Sequence, residues 1–171
     1  MNRAPRVAWT ALTARRRGRV ATGGTGVLPL RVLPNDIDLA GHMNNGVYFT
    51  MADLGRIDLA IRSGWIRAQL RHRVAPVVMQ ETMTFRTSLQ PLQAFELHTQ
   101  VIGFDEKAMY IETRFMQRGT LAAHAVGQVR FLRKKGGDVG PDEVKELIPE
   151  APELELPEWV TTWAEAVRRA A

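Results

Sequence analysis

The chain has 171 residues, 45% of them apolar and 24% charged, with a formal net charge of +5. That length suits one domain of about 100–200 residues that can bury a core without covalent staples. There is no cysteine, which excludes disulfides, thiolate nucleophiles and cysteine zinc sites. No run approaches the roughly 20 apolar residues of a spanning helix. The expectation is a cytoplasmic protein without stable membrane insertion.

The charge is unevenly spread. Basic residues dominate before Gly137, whereas nine acids stand against Lys145, Arg168 and Arg169 from Asp138 onward. A basic domain attracts anions such as nucleic acid, a membrane surface or a phosphate-bearing small molecule. No nucleic-acid-binding motif accompanies it, so no nucleic-acid partner is expected. Residues 1–25 carry Arg3, Arg6, Arg15, Arg16, Arg17 and Arg19 without an acid. Their apolar patch, Val7 to Leu12, is too short for a usual signal-peptide core. The composition also suits a transit peptide, but the reading carried forward is a solvated, flexible arm.

Residues 20–27 read as a joint rich in glycine. Val27 to Leu33 suits a first strand, stopped by Pro34-Asn35-Asp36. From Asn45 to about Arg62, Tyr48, Met51, Ala52, Gly55 and Leu59 recur at spacings of three and four, which predicts a helix with one apolar face. Asn44 or Asn45 is a natural N-cap. Gly55 lies on the inward face, and Ser63-Gly64 ends the helix. Trp65 to Arg73 fits a further short helix.

The period then falls to two. A strand opens at Val74 and runs to about Arg86. Phe95, Leu97, Thr99 and Val101 alternate with Glu96, His98 and Gln100. Met109, Ile111, Thr113 and Phe115 alternate with Tyr110, Glu112 and Arg114, and a last strand runs from Leu121 to Phe131. Hairpin-sized gaps separate these runs, so they form an antiparallel meander. Pro141-Asp142-Glu143-Val144 and Pro157-Glu158-Trp159 each open a short tail helix. The order predicts an α+β fold in which an antiparallel sheet wraps one long central helix. An exposed sheet edge would favour pairing with a second copy.

Between the first strand and the long helix lies Asp36-Ile37-Asp38-Leu39-Ala40-Gly41-His42-Met43-Asn44-Asn45. The first amides of the helix are unpaired donors facing this loop. They would polarise a carbonyl or phosphate oxygen placed there. A carboxylate beside that point could attack a thioester carbonyl or activate a water, and both Asp36 and Asp38 are candidates. Acids and asparagines before a helix are also ordinary caps and turn formers, and on composition alone that reading stands equal. His72, His98 and His124 show no spacing that suggests a metal pair. Gly23-Gly24-Thr25-Gly26 lacks the lysine of a phosphate-binding loop. Neither a metal nor a cofactor is expected.

The string Asp-x-Asp-x-x-Gly-His-x-Asn-Asn followed by Tyr48 resembles the signature of the 4-hydroxybenzoyl-CoA thioesterase branch of the hotdog superfamily. Asp53-x-x-Arg56 looks like the acid and arginine on that family's central helix. Arg31 to Asp38 with His42 to Asn45 is similar to the group called thioesterase superfamily member six, as are Gly103-Phe104-Asp105 and Arg114-Phe115. The resemblance covers roughly residues 26–135 and implies a hotdog domain there, with residues 136–171 as an acidic, partly helical extension. It also implies an acyl-CoA substrate and two copies paired edge to edge as a dimer or a dimer of dimers. Under it Asp38 takes the place of the catalytic carboxylate, as nucleophile or base, with His42 as a helper. Asn44, Asn45, Gly46, Tyr48 and Asp53 fall at substrate-binding positions, and Asp36 is structural. Many members carry a small residue, Thr or Cys between the two acids, where this chain has Ile37. The pattern of hotdog dehydratases is absent. A non-catalytic acyl-binding or scaffold protein, and an anion-binding module acting through the basic arm, are the competing readings.

Overall fold

A computed structural model describes residues 4–133, 136–137, 139–140, 143–144, 147–148 and 154–170. In chain order the elements are α1 (Ala4–Ala14), β1 (Gly26–Arg31), α2 (Asn45–Arg62), α3 (Trp65–His72), β2 (Val74–Phe85), β3 (Ala94–Phe104), β4 (Met109–Gln117), β5 (Thr120–Arg133) and α4 (Glu158–Ala170). The five strands form one antiparallel sheet in the order β1-β3-β4-β5-β2. The first strand is two residues shorter at its C-terminal end than the apolar run suggested. The predicted helix start at Pro141 to Val144 lies largely outside the described residues.

Helix α2 lies across the sheet because its inward residues, Tyr48, Met51, Ala52, Leu54 and Leu59, meet the inward residues of the strands. On β3 the predicted alternation holds: Phe95, Leu97, Thr99 and Val101 are buried, and Glu96 is exposed. Gly55 sets how close the helix comes. A Cβ at that position would overlap the Thr99 hydroxyl oxygen, so glycine lets the helix backbone sit directly on the Thr99 side chain. Asn44 caps α2, its side-chain oxygen accepting the Gly46 amide at 2.8 Å.

Both faces of the middle strands are covered, which period-two alternation does not foresee. Helix α4 packs Val160 and Ala164 on Tyr110 and Val126 of the outer face. It is pinned there by Arg168, which pairs with Asp105 and donates to the Tyr110 hydroxyl at 3.1 Å. Burial, followed by the bond and charge of Asp105, pushes the Tyr110 phenol up to about 12.

The basic N-terminal segment departs from the expected solvated arm. Residues 4–14 form α1, which lies on α2 with Thr10 and Ala14 buried. Arg6 pairs with Asp36 at 2.6 Å, and Arg17 pairs with Asp58 at 2.6 Å. Asp58 is a buried acid on α2, bound also by Arg62 at 3.0 Å. Buried carboxylates need paired cations; α1 supplies Arg6, and the 3-10 turn that follows it, Arg15–Arg17, supplies Arg17.

Candidate functional site

The segment joining β1 to α2 folds as a short 3-10 turn and then a tight hairpin. Pro34–Asp36 makes the turn. Ile37 bridges Met43 in antiparallel fashion, the Asp38 amide donates to the His42 carbonyl at 3.1 Å, and the Gly41 amide donates to the Asp38 carbonyl at 3.0 Å. Gly41 has φ +80, a left-handed conformation that glycine adopts without a steric penalty. The five residues Asp38 to His42 thus form the tip, with Leu39 fully exposed.

The two acids have unlike surroundings. The Asp36 side chain is wholly buried, and one oxygen accepts from Arg6 at 2.6 Å and from the Leu33 amide at 2.7 Å. Its carbonyl accepts the Asn44 amide at 2.9 Å. Asp36 is therefore a structural clamp between α1, the turn and the helix cap. Asp38 is only half-buried. One of its oxygens accepts the Ala40 amide at 2.9 Å and the other accepts the Asn44 side-chain amide at 3.3 Å. Asn44 thereby holds the Asp38 carboxylate with its nitrogen while capping α2 with its oxygen.

Asn45 and Gly46 are exposed at the helix start, beside this hairpin. The half-buried His42 ring lies with Nδ1 at 3.3 Å from the Met43 carbonyl, and its Nε2 has no bond among the described residues. Asp38, His42, Asn44, Asn45 and Gly46 are thus gathered around the hairpin and the first turn of α2. A carboxylate oriented by two donors next to a positive helix end is suited to attack on, or hydration of, an activated carbonyl.

Two expected substrate contacts are placed elsewhere. Tyr48 is 2% exposed, stacks edge-on with Phe85 and also contacts Phe115, each with centroids 5.1 Å apart. Its hydroxyl accepts the Leu89 amide at 3.1 Å, and the Leu89 carbonyl accepts the Met43 amide at 2.9 Å. Burial raises its phenol pKa, with the Leu89 bond acting in the opposite direction. Tyr48 is thus a core residue that ties a neighbouring loop to the hairpin, and its hydroxyl is already engaged. Asp53 is half-exposed and lies eight residues beyond Asn45, about 12 Å along the helix. It accepts from Arg56 at 2.7 Å, and Arg56 also donates to Glu81 of β2 at 2.8 Å.

Asp53 and Arg56 stand on the wall of a cavity of about 460 Å³ between α2, α3 and the sheet. Leu54, Ile57, Trp65, Met109, Ile111 and Val129 give it apolar walls. Gln69, 8% exposed, turns a polar side chain toward it. Thr50, within two turns of the Asp38 hairpin, lies at one end of this lining and Ala60 at the other, but Asp38 and His42 are not part of it. Two half-buried histidines of the sheet are held by acids: His98 bonds Glu96 at 2.9 Å and His124 bonds Glu112 at 2.8 Å.

Sequence reasoning missed Arg6, Glu81 and Gln69. Glu81 left a signal, as the single acid in the run Val74–Phe85. Arg6 left none, because nothing local distinguishes it from the other arginines of its segment.

The thioesterase-like superfamily model matches residues 32–164 of this chain. Protein THEM6 of Xenopus laevis is 34% identical over 136 residues, covering 77% of this chain. The chain spans 63% of the length of that relative, and 44% of the length of a Danio rerio protein of the same name. Among solved structures, the YbaW probable thioesterase from Escherichia coli aligns with a TM-score of 0.67 at 18% identity, covering 71% of this chain and 94% of that one. The BH1999 gentisyl-coenzyme A thioesterase aligns with a TM-score of 0.63 at 18% identity, covering 70% and 99%. These structures share the hotdog fold, with a sheet wrapped around a central helix.

Proposed function

Because the chain belongs to the thioesterase-like superfamily, we propose that it hydrolyses an acyl-CoA thioester to the free acid and coenzyme A, with Asp38 as the reacting carboxylate. The observation that carries this reading is the state of Asp38: half-open to solvent, oriented by the Ala40 amide and Asn44, and next to the start of an 18-residue helix. The exposed first-turn amides of α2 would stabilise the negative charge that develops on the thioester oxygen. Asp38 either attacks the carbonyl carbon, expelling the CoA thiolate and leaving an anhydride that water cleaves, or removes a proton from an attacking water. His42, whose Nε2 has no bond among the described residues, would assist at the leaving sulfur. The structurally similar gentisyl-coenzyme A thioesterase is named for a substrate of the same class, a coenzyme A thioester.

Two copies would pair through β2, whose outer edge presents Val78, Met79 and Phe85 at 37%, 49% and 41% exposure. A long, apolar edge strand is a template for pairing.

The decisive measurement is CoA release across a panel of acyl-CoAs of increasing length. Asp38→Asn is expected to lower kcat/KM by about 10²- to 10⁴-fold, with the fold intact by circular dichroism. Turnover equal to that of the parent protein would remove Asp38 from the chemistry. Acyl-CoA binding without turnover in either protein would make the chain a binding or scaffold protein.

A further inference from the structure

Helix α1 is amphipathic in the wrong sense for a helix docked on a core. The side facing the domain carries Arg6 and the buried Thr10 and Ala14; Arg6 bonds Asp36 of the turn before the hairpin, and Arg17, just past the helix, bonds Asp58 of α2. The side facing solvent carries Pro5, Ala8, Trp9 and Leu12, with Trp9 66% and Leu12 77% exposed. At 3.6 residues per turn, Pro5, Trp9 and Leu12 form one row along the outer surface, and the exposed Arg15 and Arg16 follow directly after the helix. A surface helix normally buries its apolar stripe, so this one presents its stripe outward while ion pairs hold it in place.

The charge around the row has one sign. Arg15, Arg16 and Arg19 are exposed, and none has an ion-pair partner among the described residues. Seven arginines and no acid occur before Asp36.

We infer that the outer face of α1 is a docking surface for anionic phospholipid bilayers, on which the domain lies peripherally. Trp9 and Leu12 would enter the headgroup boundary while Arg15, Arg16 and Arg19 meet lipid phosphates. Trp is the side chain best suited to that boundary, with an apolar body and one donor. A second copy fits this face poorly, since an isologous contact would set each arginine cluster against its like. A nucleic acid would satisfy the arginines but give Leu12 and Pro5 no apolar partner.

The test is co-sedimentation of the full chain with phosphatidylcholine vesicles, with and without phosphatidylglycerol, at low and high salt. The expected result is binding only to the phosphatidylglycerol vesicles, weakened by salt, and a blue-shifted tryptophan emission lost in Trp9→Ser. Trp9→Ser/Leu12→Ser should abolish binding while leaving the melting temperature and CoA release unchanged, since both side chains are mostly exposed and neither lines the cavity. Each of Arg15→Gln and Arg16→Gln should weaken binding about fivefold. The inference is overturned by an absence of binding to anionic vesicles, or by binding that the double variant retains. It is equally overturned if the double variant instead breaks a dimer in sedimentation, or loses RNA binding that vesicles do not compete away.

Discussion

Arg6 of α1 reaches across thirty residues of sequence to the wholly buried Asp36, closing on its carboxylate at 2.6 Å. This pair explains why two acids separated by a single residue differ so much. Asp36 is neutralised and locked, whereas Asp38 has only neutral donors and faces outward. Arg6→Ala removes the cation and leaves a buried carboxylate unpaired, a change that costs about 3 kcal/mol or more. For a chain of this size that lowers the melting temperature by roughly 6–12 °C. Arg6→Lys, which keeps the charge, should recover part of the loss, and scanning calorimetry of the three proteins checks both. An unchanged melting temperature in Arg6→Ala would mean that α1 is not held by this contact.

Gly55 of α2 faces Thr99 of β3 with no room for a side chain. A Cβ on residue 55 would overlap the Thr99 hydroxyl, which lies 3.3 Å from the Thr113 hydroxyl in a buried pair. Gly55→Ala gains about 1 kcal/mol of helix propensity, but overpacking of a tight core costs about 1–3 kcal/mol, and a displaced hydroxyl adds a lost buried bond. The net expectation is a loss of about 2 kcal/mol in urea unfolding. Thr99→Ala removes the obstructing atom, so the second substitution should cost less in that background. A double-mutant cycle showing simple additivity would place the contact elsewhere.

The parts of this fold legible in the sequence are those written in local periodicity. The spacing of Tyr48, Met51, Gly55 and Leu59 defined α2, Asn44 marked its start, and alternation along residues 94–131 gave the meander. The hairpin was legible because its turn residues, cap and acids are contiguous. The docking of α1 was not, because its partners Asp36 and Asp58 lie 30 and 41 residues away from Arg6 and Arg17, and its buried face is polar. Spacing put Tyr48 on the inward face of α2 and the resemblance put it at a substrate position, whereas the bond from Leu89 that engages its hydroxyl is long-range and left no local signal. The burial of Tyr110 and Val126 depends on α4, a helix from the acidic tail that has no local signal of where it docks.

Glu112 of β4 carries the acid sensitivity expected of the outer face. Burial raises its pKa, but the bonds from His124 and Arg114, with their charges, win and hold it at about 2 against an ordinary 4.5. Gln100 donates to it as well, at 3.0 Å. A depressed folded-state pKa contributes stability that is present above 4.5 and is lost as pH falls toward 2. Glu112→Gln should therefore be less stable than the parent at neutral pH, and the gap should narrow between about pH 5 and pH 2. Chemical denaturation midpoints over that range test it. A gap that stays constant with pH would show that Glu112 contributes through shape and not charge.

The cavity beside α2 offers a test of where the acyl group lies under the proposed hydrolysis. Its lining runs from Thr50 to Ala60, about 15 Å along the helix. One end is near the first turn, where Asp38 stands, and the other is at Trp65 and Gln69. A bulky side chain at the far end would shorten the space without touching the hairpin. Ala60→Phe is thus expected to reduce kcat/KM for long-chain acyl-CoAs by about tenfold or more, the scale on which apolar pockets discriminate chain length. Acetyl-CoA hydrolysis should stay within about twofold of the parent, since a short chain does not reach residue 60. Equal losses on short and long chains would indicate a general disturbance of α2. No loss on either would place the acyl group outside this cavity, most simply against the partner copy at the β2 edge, where Pro76 and Val78 already complete one wall.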